Sequence, residues 1–203
     1  MEIGYGCRVS TQRSLRAARI GDAAIAILAD QGMHGLTHRA VDRAAGLPPG
    51  TTSNYARTRA ALVELALRRM TELEAADIEP LIADGPPADL DGFADLAARI
   101  IHHSVTAART RMLARYELAM EATRRPELRA AYDQAGQAYR DAAPALLAAA
   151  GSADPGRHAR MLVAWAEGIM FDSIAGAGHQ HPPAVADLRA TLLEYLHAIV
   201  PGD

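Results

Sequence analysis

The chain has no lysine: all 21 basic residues among its 203 are arginine. Arginine is the planar, forked donor suited to phosphates and guanines. A GC-rich genome gives the same usage, and the abundance of Ala, Gly and Pro fits that origin. Other scarcities exclude whole classes. A single cysteine, Cys7, forms no internal disulfide and fits a reducing cytoplasm. Two Phe and one Trp argue against a β-sandwich, whose strands are built from aromatic and β-branched residues. The apolar runs fall far short of the ~18 residues that a membrane-spanning helix requires. The start, Met1-Glu2-Ile3-Gly4-Tyr5, lacks the basic-then-apolar layout of a signal peptide. A cytoplasmic location and no membrane partner are therefore expected. No P-loop, dinucleotide fingerprint or Gly-x-Ser-x-Gly elbow occurs, so neither enzyme chemistry nor a cofactor is expected. His179-x-His181 lies in a Gly/Pro loop with no Cys nearby and reads as solvated loop, leaving no metal site.

What is present is helical. Half of the residues are hydrophobic, enough for a sizeable core. Apolar residues recur at helical spacing almost throughout, with no strand pattern, so an all-α fold of about nine helices is expected. Residues 1–10 read as a disordered arm. Helix 1 covers 11–32 with Ile20, Ala24, Ile27 and Leu28 on one stripe, and Gly32 to Gly35 ends it. A short helix starts at the cap Thr37 and closes at Gly46. A third covers roughly Pro49–Tyr55, since proline suits a first turn. Thr58 caps a long fourth helix running toward Ile82. Five more cover roughly 89–105, 107–124, 126–149, 155–177 and 183–199. Pro144 is expected to kink or split the seventh.

The net charge of −3 hides an asymmetry. Residues 1–70 hold ten Arg against five acids, a net of +5; residues 71–203 hold eleven Arg against nineteen acids, a net of −8. The basic part coincides with the short N-terminal helices, the distribution expected of a nucleic-acid-binding head. Two short helices joined by a Gly-containing turn form a helix-turn-helix. The outer face of its second helix carries small polar side chains, so it can approach a major groove closely. Thr and Ser reach phosphates or bases and Asn prefers adenine. Arg39 can reach a phosphate or a guanine edge. The bland alternative is two short helices in a larger bundle.

The stretch Leu36-Thr37-His38-Arg39-Ala40-Val41, Ala44-Ala45-Gly46-Leu47-Pro48-Pro49-Gly50-Thr51-Thr52-Ser53-Asn54-Tyr55 and Arg59-Ala60-Ala61-Leu62 resembles the DNA-binding domain of the TetR (tetracycline-repressor) family of bacterial transcription regulators. The resemblance covers roughly residues 12–70 and divides the chain into a helix-turn-helix domain, 11–57, and an effector-binding and dimerisation domain, 58–203. It implies that Thr37 and His38 face the phosphate backbone and that Arg39 enters the groove. Thr51 and Asn54 would read bases, with Thr52 and Ser53 on the same helix and Pro49 and Gly50 allowing close approach. Tyr55 and Arg59 would clamp phosphates. The chain departs from the family pattern at Ser53, where the family has Tyr, at Ala56, where it has a larger residue, and at Arg59, where it has Lys.

The larger domain allows an effector pocket and a dimer face. Met112, Tyr116, Met120, Trp165, Met170 and Phe171 are large and adaptable, and either line a pocket inside helices 4–8 or fill ordinary core. Of the adjacent His102 and His103 at most one faces inward, so His102 joins that set. Helix 9 carries Leu188, Leu192, Tyr195, Leu196 and Ile199 on one stripe. Helix 8 carries Met161, Trp165, Gly168 and Ile169. These stripes face either the chain's own core or, as the resemblance implies, a second subunit in a four-helix interface. The expected function is a homodimeric, ligand-responsive regulator, a repressor on a palindromic double-stranded DNA operator released by a small-molecule effector. The rival is an all-α ligand carrier or enzyme on the same scaffold without DNA binding.

Overall fold

The computed structural model describes residues 3–83, 85, 87, 89–149 and 151–200. Among them there are nine α-helices and no strand: α1 (Ile3–Gly35), α2 (His38–Ala44), α3 (Thr51–Tyr55), α4 (Arg59–Ile78), α5 (Leu90–Val105), α6 (Arg109–Ala122), α7 (Pro126–Ala149), α8 (Pro155–Ile174) and α9 (Val185–Ile199). The predicted fourth helix ends early. Pro80 lacks an N–H to continue the ladder, and the chain tightens into a 3-10 turn over Glu79–Ile82. Residues 3–10, expected as an arm, are helical and continuous with α1, because extension adds one bond per residue once a helix exists and no proline interrupts. Met1 and Glu2 lie outside the described residues. Pro144 does not split α7. The carbonyl that it leaves without a donor belongs to Arg140, on the exposed side of the helix, where water can replace the lost bond.

The chain forms two compact units. One reaches as far as Glu74 and takes in Leu113–Ala135; the other comprises Ala75–Met112 and the chain from Gly136 onward. In the first, Ile20, Ala24, Ile27 and Leu28 of α1 bury against Leu36, Val41, Leu62 and Ala66, and Ala114 and Leu118 of α6 complete this core. The first unit therefore extends well past residue 57, since the short α2 and α3 cannot cover the apolar stripe of α1 without α4 and α6. In the second unit α5 packs against α8 and α9. Ala94, Ala98 and Ile101 of α5 meet Leu162 of α8 and Leu188, Leu192 and Leu196 of α9. The small alanines of α5 admit the leucines of α9, which are fully buried.

Candidate nucleic-acid interface

The helix-turn-helix is built on a carboxylate. Thr37 caps α2 through its hydroxyl, which accepts from the Ala40 amide at 3.1 Å. Gly46 (φ 61°) closes α2, and the Arg19 guanidinium donates to the carbonyl of Ala45 at 2.6 Å. The N-cap of α3 is Gly50, held at φ 86°, which suits glycine but supplies no capping oxygen. Asp42 of α2 supplies it. One carboxylate oxygen accepts from the Gly50 amide at 2.7 Å; the other accepts from the Thr52 amide at 2.7 Å and the Thr52 hydroxyl at 2.6 Å. Asp42 is only 3 % exposed. Burial works to raise its pKa, but the Thr52 hydroxyl, the Thr52 and Gly50 amides and nearby His38 outweigh this and hold it below the ordinary carboxylate value.

This geometry sorts the expected DNA-facing residues. Thr37, Arg39, Pro49, Gly50, Ser53 and Asn54 are exposed. Thr52 is not among them: it is 0 % exposed, and its hydroxyl donates to Asp42. Thr51 is half-buried, and its hydroxyl donates to the carbonyl of Pro48 at 2.6 Å. His38 turns inward, its Nε2 lying 2.6 Å from the carbonyl of Ala56, the residue that ends α3. Tyr55 is half-buried, with the Arg13 guanidinium 6.0 Å from its ring centroid. Arg59 donates to the Met33 carbonyl. Among the described residues no carboxylate pairs with Arg39, Arg43 or Arg57, all exposed, so a basic surface surrounds the outer face of α3. Sequence reasoning missed Asp42. The readable signal was a glycine at the α3 N-cap, which has no side-chain oxygen, eight residues after a carboxylate on a helix with an apolar face.

The expected pocket set is divided between the two compact units. Tyr116 and Met120 belong to the first unit, and Met120 is exposed; His102, Met112, Trp165, Met170 and Phe171 belong to the second. His102 Nδ1 lies 3.1 Å from the Pro183 carbonyl, Met112 is buried, Trp165 and Met170 pack on the second core, and Phe171 is exposed. None of these lines the cavity of about 310 Å³ in the second unit, which is bounded by Pro87, Asp89, Leu90, Phe93, Leu146, Leu147 and Ala149.

The residues of the expected dimer face differ in burial. Leu188, Leu192 and Leu196 are spent on their own core, each burial contributing roughly 1.5–3 kcal/mol. Trp165, Ile169, Tyr195 and Ile199 are half-buried against that core, and the Tyr195 hydroxyl donates to the His158 carbonyl at 3.0 Å. Exposed apolar side chains remain along α8 instead, at Met161 (53 %) and Phe171 (51 %), with Ala164 and Gly168 between them. The most enzyme-like contact, Ser152 Oγ to His158 Nδ1 at 2.6 Å, is a lock. Arg157 Nη2, which can only donate, faces His158 Nε2 at 3.0 Å, an arrangement that suits a neutral ring donating from Nδ1 to the serine.

Residues 88–202 match the sequence model of the family described as "Tetracyclin repressor-like, C-terminal domain". The chain belongs to the TetR family of transcriptional regulators. Solved structures share the all-helical architecture. A family member from Streptomyces coelicolor A3, SCO1917, is 30% identical, with a TM-score of 0.67 over 89% of this chain and 97% of that one. The multidrug binding protein EbrR, solved with proflavin, is 32% identical, with a TM-score of 0.57 over 89% of this chain and 99% of that one. A transcriptional regulator from Saccharomonospora viridis, solved with choline, shares the fold at 18% identity, with a TM-score of 0.76 over 93% of this chain and all of that one. No curated protein sequence matches the chain. Among the described residues no helix is long and apolar enough to cross a membrane.

Proposed function

We propose that this TetR-family protein is a homodimeric, ligand-responsive repressor that binds a palindromic DNA operator through α2 and α3. The observation that carries the reading is the outer face of the helix-turn-helix. Asp42 fixes α3 through its amides, while Arg39, Ser53 and Asn54 stand exposed, as do Arg43 and Arg57, which no carboxylate pairs among the described residues. Arg39 reads a guanine edge or grips a phosphate, and Asn54 suits adenine. Thr37, Pro49, Gly50 and Thr51 border the same surface, with Tyr55 and Arg59 at its margins. Residues 11–57 form the DNA-reading part and 58–203 the part that binds the effector and pairs the subunits. Two such faces related by a dimer axis meet successive major grooves about 34–36 Å apart.

The exposed Met161, Ala164, Gly168 and Phe171 stripe of α8 is the proposed face for the second subunit. The cavity beside Leu90, Phe93 and Leu147 is the proposed effector site, its apolar walls and the single carboxylate of Asp89 suiting a lipophilic cation. The proflavin carried by EbrR is of that class. The test is a salt titration on a duplex that the protein selects from a random pool. Log Kd is expected to follow log salt steeply, with about 0.9 per phosphate contact. A flat response, or no duplex selected, removes the repressor reading.

A further inference from the structure

α1 breaks at Gly32, whose backbone (φ 63°, ψ −167°) lies in a region that glycine adopts readily and other residues do not. Beyond the break, the Met33 amide points to another helix and donates to Glu117 Oε1 of α6 at 2.8 Å. A Cβ at position 32 would stand 2.8 Å from the same oxygen. Glycine therefore serves twice: it suits the conformation, and a Cβ there would push the carboxylate end of Glu117 aside. The carbonyl of Met33 accepts from Arg59 at the start of α4. One peptide segment is thus gripped from both sides, by α6 and by α4. Met33 is buried, and three residues later Leu36 enters the core and Thr37 caps α2. Where this segment sits decides where α2, and with it α3, begins. α6 itself starts in the second unit and enters the first at Leu113.

We infer that Glu117 is a positioning residue for the DNA-facing element: its bond to Met33 is the point at which α6 sets the helix-turn-helix, and releasing it lowers DNA affinity without removing a DNA contact. This rests on the DNA-binding reading above. The bond is charge-assisted and half-buried, which makes it a strong member of its class.

The test compares Glu117→Ala, Glu117→Gln and Gly32→Ala with the wild type in the full-length chain. Three quantities are read: affinity for the selected duplex with its salt slope, hydrogen exchange at Met33, and the thermal midpoint. Glu117→Ala is expected to weaken DNA binding roughly tenfold, within the usual range of coupling between sites. Its salt slope stays that of the wild type, because no phosphate contact is lost, and Met33 exchanges faster. Glu117→Gln, whose amide oxygen still accepts from Met33, stays within roughly twofold of the wild type. Gly32→Ala weakens binding as Glu117→Ala does. Wild-type affinity in Glu117→Ala, a changed salt slope, or equal failure of Ala and Gln overturns the inference. If the wild type binds no duplex, the DNA reading falls and Met33 exchange still decides the latch: faster in Ala but not in Gln upholds it, and equal exchange in all three removes it.

Discussion

Each compact unit holds an aspartate below its ordinary pKa, and the two do it with different partners. In the helix-turn-helix, Asp42 takes its hydrogen bonds from the Gly50 amide and the amide and hydroxyl of Thr52. In the second unit, Asp77 is met by Arg111 Nη2 at 2.5 Å and His103 Nε2 at 3.0 Å. A second contrast sets the arginines around α2 and α3 apart from those elsewhere, such as Arg69 with Asp22 and Arg125 with Glu121 in the first unit. In the second unit Arg99 pairs with Asp95, Arg157 with Asp154, and Arg189 with Asp91. Around α2 and α3, Arg39, Arg43 and Arg57 have no such partner among the described residues. A carboxylate satisfied by neutral donors stabilises the turn without consuming a guanidinium. The basic surface thus stays available for a phosphodiester, whereas Arg99, Arg157 and Arg189 of the second unit are each taken up by a carboxylate.

The comparison breaks first at Asp42. Asp42→Ala leaves two amides and a hydroxyl without an acceptor in a buried site. Each bond to a charged group is worth about 1.5–3 kcal/mol, and relaxation recovers part of the sum. A loss of about 3 kcal/mol in urea unfolding is expected, with DNA binding lost alongside. Because the folded pKa is depressed, the stability from Asp42 is fully present above about pH 4, the ordinary carboxylate value. It is lost as pH falls through the folded value. Asp42→Asn is expected to flatten that acid limb. Unchanged unfolding in both variants would mean that the turn stands without its carboxylate.

Next in size is Arg39→Ala. If Arg39 reads a base, specific binding weakens by about 1–3 kcal/mol and one operator position relaxes. An equal loss on every sequence makes it a phosphate contact. The dimer face gives a third test. A Cβ at Gly168 meets nothing within 4 Å in this chain, so Gly168→Ala adds its methyl without a clash inside the subunit and acts on a close-packed neighbour. With Phe171→Asp it is expected to weaken self-association by roughly tenfold in sedimentation, at unchanged thermal midpoint in dilute protein. Retained association would place the dimer face elsewhere.

These sites differ in how far they could be read before the fold was known. The caps and breakers around α2 and α3 are local: Thr37 and Gly46 state the helix ends within one turn of chain, and both are where they were expected. The stripe on α9 was also legible, but not its partner. A leucine row at 3–4 spacing looks the same whether it meets α5 of its own chain or a second subunit; only the placement of Ala94 and Ala98 opposite it decides. Asp42 was hidden for a related reason. On a short helix an aspartate reads as solvated, and its donors lie eight and ten residues ahead, across a turn whose geometry had to be known first. Nor does the sequence mark that Tyr116 and Met112, neighbours on one helix, fall in different compact units.

The smallest expected effect sharpens the opening contrast most. Asp77 is partly exposed, its side chain retaining 30% of its accessible surface. Burial raises its pKa, while hydrogen bonds and charge from Arg111 and His103 bring it below the usual value. Screening limits such pairs to about 0.2–1 kcal/mol, so His103→Ala is expected to cost less than 1 kcal/mol. Arg111→Ala lies at the upper end, since its side chain keeps only 13% exposure. The sign matches that of Asp42: the contribution is present above about pH 4 and fades as acid protonates the carboxylate. Salt separates the two aspartates. Raising ionic strength from 0.1 to 1 M shortens the screening length from about 10 to 3 Å. That is expected to erode the penalty of Arg111→Ala while leaving that of Asp42→Ala nearly unchanged, because neutral amides and a hydroxyl are not screened away. A salt-sensitive Asp42→Ala penalty would mean that the helix-turn-helix is held by charge pairing after all.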